Sequence, residues 1–94
     1  MNEDDDLLRY EVELTPAAER TLRKLDKPIA RRLVVAMYNL ALEPRPSGVK
    51  ALAGHPGALR LRVGDYRVVY RVEDKRLLVL VLDVGHRREI YRAW

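Results

Sequence analysis

Arginines recur in two short segments on either side of a glycine. Arg60 and Arg62 precede Gly64, and Arg67 and Arg71 follow it. A guanidinium is always charged and presents a planar fork of donors that matches the oxygens of a phosphate. Four such groups on one surface predict an anion-binding site. The alternative is that they are solvated charges that protect a sheet edge from aggregation.

A second group of polar and aromatic residues stands near the C-terminus. His86 is followed by Arg87 and Arg88, and Tyr91 stands three residues after Arg88. Histidine titrates near neutrality, which makes His86 a candidate for proton transfer. A tyrosine can stack on a nucleobase. Taken singly, His86 also fits a surface residue at a strand end, and Tyr91 fits a side chain of the core.

The composition narrows the possible chemistry. The 94 residues fit one domain, 1–94, and they include no cysteine and two histidines. This excludes disulfides, a cysteine nucleophile and a thiolate metal site, and we expect neither a metal nor a cofactor. The longest apolar run, 77–82, is far shorter than the roughly 20 residues that span a bilayer. We therefore expect a cytoplasmic protein with no membrane association.

Charge is distributed unevenly along the chain. Residues 1–14 carry six acids and one base, whereas residues 15–94 carry eight acids and seventeen bases. Residues 1–6 read as an acidic, frayed tail. Fourteen of the eighteen bases are arginine, a bias that suggests a polyanionic partner, although charge for solubility alone explains the composition equally well.

The elements that must position these residues follow from hydropathy. Residues 8–14 alternate as a strand, and Thr15-Pro16 starts a helix with a capping threonine and a first-turn proline. A second helix follows Pro28 and ends before Pro44. Residues 59–63, 66–72 and 77–84 are three further strands. The fold class is therefore α+β with the order β-α-α-β-β-β, a four-stranded twisted antiparallel sheet with two N-terminal helices on one face.

Tight turns set the predicted register. A two-residue turn at Gly64-Asp65 places Arg62 opposite Arg67 and Arg60 opposite Val69. A second two-residue turn, at residues 74–75, places Arg67 opposite Leu82 and Arg71 opposite Leu78. One face of the sheet is then apolar, from Leu59 on the second strand to Leu77 and Val81 on the last, and it forms the core under the helices. The other face carries the arginines. The first strand is expected beside the last.

The motifs in this second half resemble those of the RelE/ParE superfamily of type II toxins. The resemblance covers roughly residues 8–92 and rests on the segments Lys50-Ala-Leu-Ala-Gly, Leu59-Arg-Leu-Arg, Gly64-Asp-Tyr-Arg-Val-Val-Tyr-Arg-Val and Asp83-Val-Gly-His-Arg-Arg-Glu-Ile-Tyr. It implies a RelE-like fold, similar to that of microbial RNases. For the RelE-type branch it implies a ribosome-dependent endoribonuclease that cuts messenger RNA in the A site and inhibits translation. In that reaction the 2′-OH attacks the adjacent phosphate, without a metal or cofactor.

The resemblance also assigns roles by position. The implied catalytic residues are Arg60, Arg62, Arg67, His86, Arg87 and Tyr91. The predicted RNA-binding residues are Lys50, Arg45, Arg71 and Arg88. The implied partners are the ribosome with its messenger RNA and an acidic, RelB-like antitoxin in a heteromeric toxin–antitoxin complex.

One departure from the superfamily concerns the proton of the 2′-OH. Related toxins often carry lysine at the positions of Arg60 and Arg62, and a desolvated lysine can lose its proton whereas arginine cannot. Catalysis is then mostly electrostatic, or another group such as His86 takes the proton.

Two other functions remain compatible with the sequence. ParE-type toxins share the fold but bind and poison DNA gyrase, and they generally lack the catalytic set. An RNA-binding module without activity also fits the composition. The joint presence of Arg67, Arg87 and Tyr91 favours the nuclease.

Overall fold

The computed structural model describes residues 9–94, so the predicted acidic tail at 1–6 lies outside the described residues. The order of elements is β1 (Glu11–Leu14), α1 (Pro16–Lys24), α2 (Lys27–Leu42), β2 (Lys50–Ala51), β3 (Leu59–Val63), β4 (Tyr66–Glu73), a 3-10 turn (Asp74–Arg76), β5 (Leu78–His86) and α3 (Arg87–Ala93). The α+β class is confirmed. Within the described residues, no helix combines the length and apolarity needed to cross a membrane.

The two predicted helices form where their capping residues indicated. The Thr15 hydroxyl oxygen accepts a hydrogen bond from the Ala18 amide at 3.2 Å, and Pro16 is the first residue of α1. The same hydroxyl donates to the Leu82 carbonyl at 2.8 Å, which joins the start of α1 to β5. Pro28 lies in the first turn of α2, where a missing amide hydrogen costs no helical hydrogen bond.

The sheet differs from the prediction in strand number and direction. Its order is β1-β5-β4-β3-β2, with β1 beside β5 as expected but parallel to it. Parallel and antiparallel strands share the same two-residue alternation, so the sequence pattern carries no direction. The Tyr10 amide donates to the Ala41 carbonyl at 2.8 Å, so the start of β1 lies beside the C-terminal end of α2. The fifth strand, β2, is a two-residue edge within a segment predicted as loop.

The main core lies between the helices and one face of the sheet, here called the helix face. Ala18 and Leu33 are fully buried there against the strands. The buried cluster consists of Ala18, Leu33, Met37, Leu40, Val68, Tyr70, Val79, Val81 and Val84. This is the apolar face that the strand alternation predicted, and it holds the three-strand meander rigidly behind the arginines.

The turn between β4 and β5 is longer than predicted. Asp74–Arg76 form one 3-10 turn, and Leu77 follows with a left-handed φ of 48° and 38% exposure, so its assignment to the core face was wrong. Arg71 consequently pairs with Leu80 rather than Leu78. A bulge beside Val69 and Tyr70 shifts the register once more, and Arg67 pairs with Gly85 rather than Leu82.

A second, smaller core covers part of the opposite face, here called the arginine face. Ala58, Val69 and Ile90 are buried there, packed with Leu52, Leu82 and Trp94. The Trp94 indole donates to Asp83 Oδ2 at 3.0 Å and closes this cluster at the end of α3. The short helix α3, which the sequence had suggested only as a basic and aromatic tail, is thereby fixed across the arginine face.

Candidate functional site

The β3–β4 hairpin brings two arginines directly opposite each other. Arg62 pairs with Arg67 across the strands, as the predicted register required. Gly64 has a φ of +60° and Asp65 does not take a positive φ, the combination that defines a type II′ turn. Because paired residues in a sheet project to the same face, both side chains lie on the arginine face.

Backbone carbonyls of this turn hold the two guanidinium groups. The Gly64 carbonyl accepts from Arg62 Nε and from Arg67 Nη1, both at 3.3 Å. Arg67 Nη1 also donates to the Tyr66 carbonyl at 3.1 Å. The two like charges therefore share one neutral acceptor instead of a carboxylate.

Helix α3 completes the site from the other side. The Arg87 amide donates to the Asp65 carbonyl at 2.8 Å, which fixes the first residue of α3 to the hairpin turn. Ile90 packs directly over Gly85, where an added side-chain carbon would stand 3.4 Å from the isoleucine. This contact sets the helix close to the sheet and turns Tyr91 outward, where it is 83% exposed.

These elements enclose an open cleft of about 420 Å³. Its lining is dominated by guanidinium groups, with one exposed phenol and one apolar contact. The lining residues are Arg60, Arg67, Arg87, Arg88, Ile90, Tyr91 and Arg92. Within residues 9–94, none of these arginines forms a salt bridge, so the cleft presents unneutralised positive charge.

Partial burial and the nearby like charges both disfavour the charged form of Arg67. Desolvation, and then the charges of Arg62, Arg60 and Arg87, lower the pKa of Arg67 below the usual arginine value. Asp65 offsets only part of this repulsion, and an anion bound in the cleft would relieve more of it by supplying further negative charge. The arrangement is chemically suited to hold a phosphodiester beside an aromatic ring.

Two of the remaining predicted residues take positions at the rim or outside the cleft. Lys50 pairs with Arg60 on the arginine face and extends the basic surface toward the sheet edge. His86 lies on the helix face, where its ring meets Tyr66 edge-on with centroids 5.6 Å apart. Its Nδ1 accepts from the Arg88 amide at 3.3 Å and so caps α3. The structure thus does not bring His86 into the cleft.

Two predicted RNA contacts are engaged elsewhere. Both guanidinium nitrogens of Arg45 donate to the Asp74 carboxylate at 3.0 Å, and the Tyr10 hydroxyl donates to the same carboxylate at 2.7 Å. Arg71 donates to the Pro56 carbonyl at 3.3 Å and ties down the loop before β3. Neither arginine lines the cleft.

A comparison with protein families agrees with this fold. The model of a family described as the ParE toxin of the type II toxin–antitoxin system parDE matches residues 12–91. This chain belongs to that toxin family. The toxin is 37% identical over 84 residues to toxin RelG of Mycobacterium tuberculosis, covering 88% of this chain and 97% of the relative. It is 31% identical over 88 residues to the mRNA interferase toxin RelE of Escherichia coli, covering 89% and 92%.

Solved structures support the same placement. The toxin superposes on a chain of the RelBE2 toxin–antitoxin complex of Mycobacterium tuberculosis with a TM-score of 0.77 and 34% identity, covering 89% of this chain and 98% of that one. The predicted RelE/ParE resemblance is thereby confirmed.

Three contributors to the toxin's cleft were not predicted from the sequence. Arg92 lines it because it stands one helical turn after Arg88, a spacing that carries meaning only once α3 is recognised as a helix. The carbonyls of Gly64 and Asp65 organise three arginines, and no side-chain pattern signals a backbone acceptor.

Proposed function

We propose that the toxin is a ribosome-dependent endoribonuclease that cuts messenger RNA by attack of a 2′-OH on the adjacent phosphate. The observation that carries this proposal is the joining of Arg60, Arg67, Arg87 and Tyr91 in one cleft, where none of the three arginines forms a salt bridge with a carboxylate of the described residues. The naming of a 31% identical relative as an mRNA interferase supports the same activity.

The proposed chemistry uses charge rather than a strong base. In-line attack develops negative charge on the phosphate oxygens, and guanidinium groups held in advance stabilise that charge more in the transition state than in the substrate. In this proposal Arg67 and Arg60 hold those oxygens and Arg87 neutralises the departing 5′-oxygen; Arg62, which the sequence also assigned to this role, does not line the cleft. Tyr91 stacks on the nucleotide.

Proton transfer in this mechanism does not run through His86. Its ring faces Tyr66 across the sheet from the cleft, and its Nδ1 already caps α3. Arginine does not give up its proton at physiological pH. We therefore propose that the 2′-OH proton leaves to solvent or to a phosphate oxygen of the substrate, and that the 5′-oxygen takes up a proton from solvent as its bond to phosphorus breaks. The cleft offers guanidinium groups and a phenol, which are poor metal ligands, so the proposed reaction is metal-independent.

The ribosome is proposed to supply the alignment that this cleft lacks. A set of arginines and one tyrosine holds an anion but does not fix a flexible RNA in the in-line conformation. Positioning of the reacting groups can contribute several kcal/mol to a rate enhancement. A codon held by the ribosome arrives already ordered, so cleavage of translated message exceeds cleavage of free RNA.

An acidic antitoxin is the proposed regulatory partner. The solved RelBE2 relative is a toxin–antitoxin complex. In the toxin described here, α2 exposes Val35, Tyr38 and Leu42 at helical spacing, with exposures of 58%, 69% and 63%. An acidic chain with apolar residues buries this stripe while its carboxylates neutralise the basic cleft.

A second candidate function is gyrase poisoning. It is favoured by the family description, which names a ParE toxin. A toxin of that type needs a binding surface rather than a cleft preorganised for a phosphodiester.

One experiment separates the two functions. Purified toxin is added to free messenger RNA, to the same message on ribosomes, and to gyrase with supercoiled DNA. The nuclease proposal expects cuts on the ribosome-bound message with 2′,3′-cyclic phosphate ends and little cutting of free RNA. Trapped gyrase–DNA cleavage complexes with uncut message would establish the alternative, and efficient cutting of free RNA would refute ribosome dependence.

A further inference from the structure

Two successive carbonyls at the tip of the hairpin face the arginines. The Gly64 carbonyl accepts from Arg62 Nε and Arg67 Nη1 at 3.3 Å each. The Asp65 carbonyl accepts from the Arg87 amide at 2.8 Å. Three residues from three different elements therefore meet at one two-residue turn.

Arg62 and Arg67 need such an acceptor because they repel each other. Like charges opposite each other in a sheet are destabilising, and each long side chain has many rotamers in which it moves away into solvent. A carbonyl carries partial negative charge and accepts from both groups without neutralising either. It restricts the guanidinium groups while leaving their charge available to a ligand.

We propose that the Gly64–Asp65 turn is the positioning element of the arginine cleft: the Gly64 carbonyl holds Arg67 and the neighbouring Arg62, and the Asp65 carbonyl holds the start of α3, without contact to RNA. The expected effect on the cleavage rate rests on the proposed function. Preorganised donors lower the barrier because they require no reorganisation as charge develops. Loosened arginines still attract the anion of the substrate, so loss of positioning reduces the maximal rate more than it reduces binding.

The direction of the Gly64 carbonyl depends on its backbone conformation. The φ of +60° suits glycine, and an L-residue there is strained. An L-Cβ would also stand 3.2 Å from a guanidinium nitrogen of Arg32. A D-residue favours positive φ, so Gly64→D-Ala retains the turn while adding the same methyl group as Gly64→Ala.

The two alanine epimers form a matched pair of variants. The chain has no cysteine, so ligation through a temporary cysteine at Ala58, followed by desulfurisation, joins a synthetic segment 58–94 to the remainder. Single-turnover cleavage of ribosome-bound message, measured at increasing toxin concentration, gives the maximal rate and the half-saturating concentration. Thermal unfolding identifies the temperature range in which each protein is folded, and Arg Nε–H exchange measured by NMR follows Arg62 directly.

The proposal expects Gly64→Ala to lose about ten- to a hundredfold in maximal rate, with a smaller change in the half-saturating concentration. Gly64→D-Ala should stay within about threefold of the parent. A folded Gly64→Ala protein that cuts at the parental rate overturns the proposal, as does equal loss in both epimers. Failure of the parental toxin to cut any message overturns the proposed function instead. In that case, slower Arg62 Nε–H exchange in Gly64→D-Ala than in Gly64→Ala supports the turn, and equal exchange refutes it.

Discussion

The two faces of the sheet are formed by the same strands but differ in composition: one is an apolar core, and the other carries the arginine cleft. On the helix face, nine buried residues from two helices and two strands form the main core. On the arginine face, three buried residues from α3, β4 and the loop before β3 form a small core, and the cleft beside it carries arginines that form no salt bridge among the described residues. The difference teaches that stability is concentrated on one face, which allows the other to keep charges that oppose each other. Mutations on the two faces should accordingly affect different measurements.

The largest effect on stability is expected in the main core. Leu33 of α2 is 1% exposed, and Leu33→Ala should cost about 2–5 kcal/mol through lost burial and a cavity. Total stabilities of small domains are only about 5–15 kcal/mol, so the loss is readily measured by urea unfolding. Cleavage per folded molecule should stay at the parental value. A specific fall in cleavage with intact stability would show that the two faces are not separable.

A smaller effect is expected in the core under α3. Ile90→Ala should cost about 1–2 kcal/mol, because few side chains surround Ile90 on that face. Trp94 is the only tryptophan, and its indole bonds Asp83, so its fluorescence reports whether α3 is docked. The Trp94 signal should change at lower urea than the circular dichroism of the main core. Coincident transitions would contradict independent docking of α3.

Tyr70 offers a test by pH. It is fully buried, its hydroxyl donates to the Pro44 carbonyl at 2.7 Å, and desolvation raises its pKa to about 12. A raised pKa means that the stability it contributes is complete below the ordinary tyrosine pKa of about 10 and is lost as pH rises toward 12. Tyr70→Phe should cost about 1 kcal/mol at neutral pH. This difference should shrink above pH 10; a constant difference to pH 12 would contradict the burial of the hydroxyl.

The smallest effect is expected at the opposite end of β4 from the hairpin turn. Hydrogen bonds from Arg45, then from Tyr10, lower the pKa of Asp74. The side chains of Arg45 and Asp74 are both exposed. Arg45→Ala should lower the melting temperature slightly at neutral pH, and the difference should vanish as pH falls below about 4 and Asp74 takes up a proton. Cleavage should stay within about twofold of the parent. A large fall in cleavage would restore Arg45 to the RNA-binding set.

Local signals in the sequence were sufficient for the helices and the hairpin. Thr15 and Pro16 cap and start α1, and the glycine at 64 set the register that opposes Arg62 to Arg67. These features depend on neighbours within a few residues. They were confirmed because no distant contact competes with them.

Features that depend on distant contacts were missed. The parallel direction of β1 depends on its start meeting the end of α2, and β2 exists only because Lys50 pairs with Arg60. Helix α3 is seven residues long, too short to be stable without the packing of Ile90 on the sheet. The cleft residues were largely named from motifs, but the separation of His86 from them follows from its alternation in β5. The bulge beside Val69 and Tyr70 changes the register of β4 against β5, and the sequence does not show it. With the bulge, His86 pairs with Tyr66 on the helix face.

The central claim is that the arginine cleft holds the phosphate that is cut, and Arg67→Ala tests it most directly. Its matched control is Arg76→Ala, which removes the same charge. Arg76 forms an exposed ion pair with Glu73 in the turn between β4 and β5, at the opposite end of β4 from the cleft. Primer extension on ribosome-bound message should show a loss of about a hundredfold or more for Arg67→Ala, with unfolding free energy within about 0.5 kcal/mol of the parent, and parental cutting for Arg76→Ala. A folded Arg67→Ala protein that cuts at the parental rate would contradict the claim.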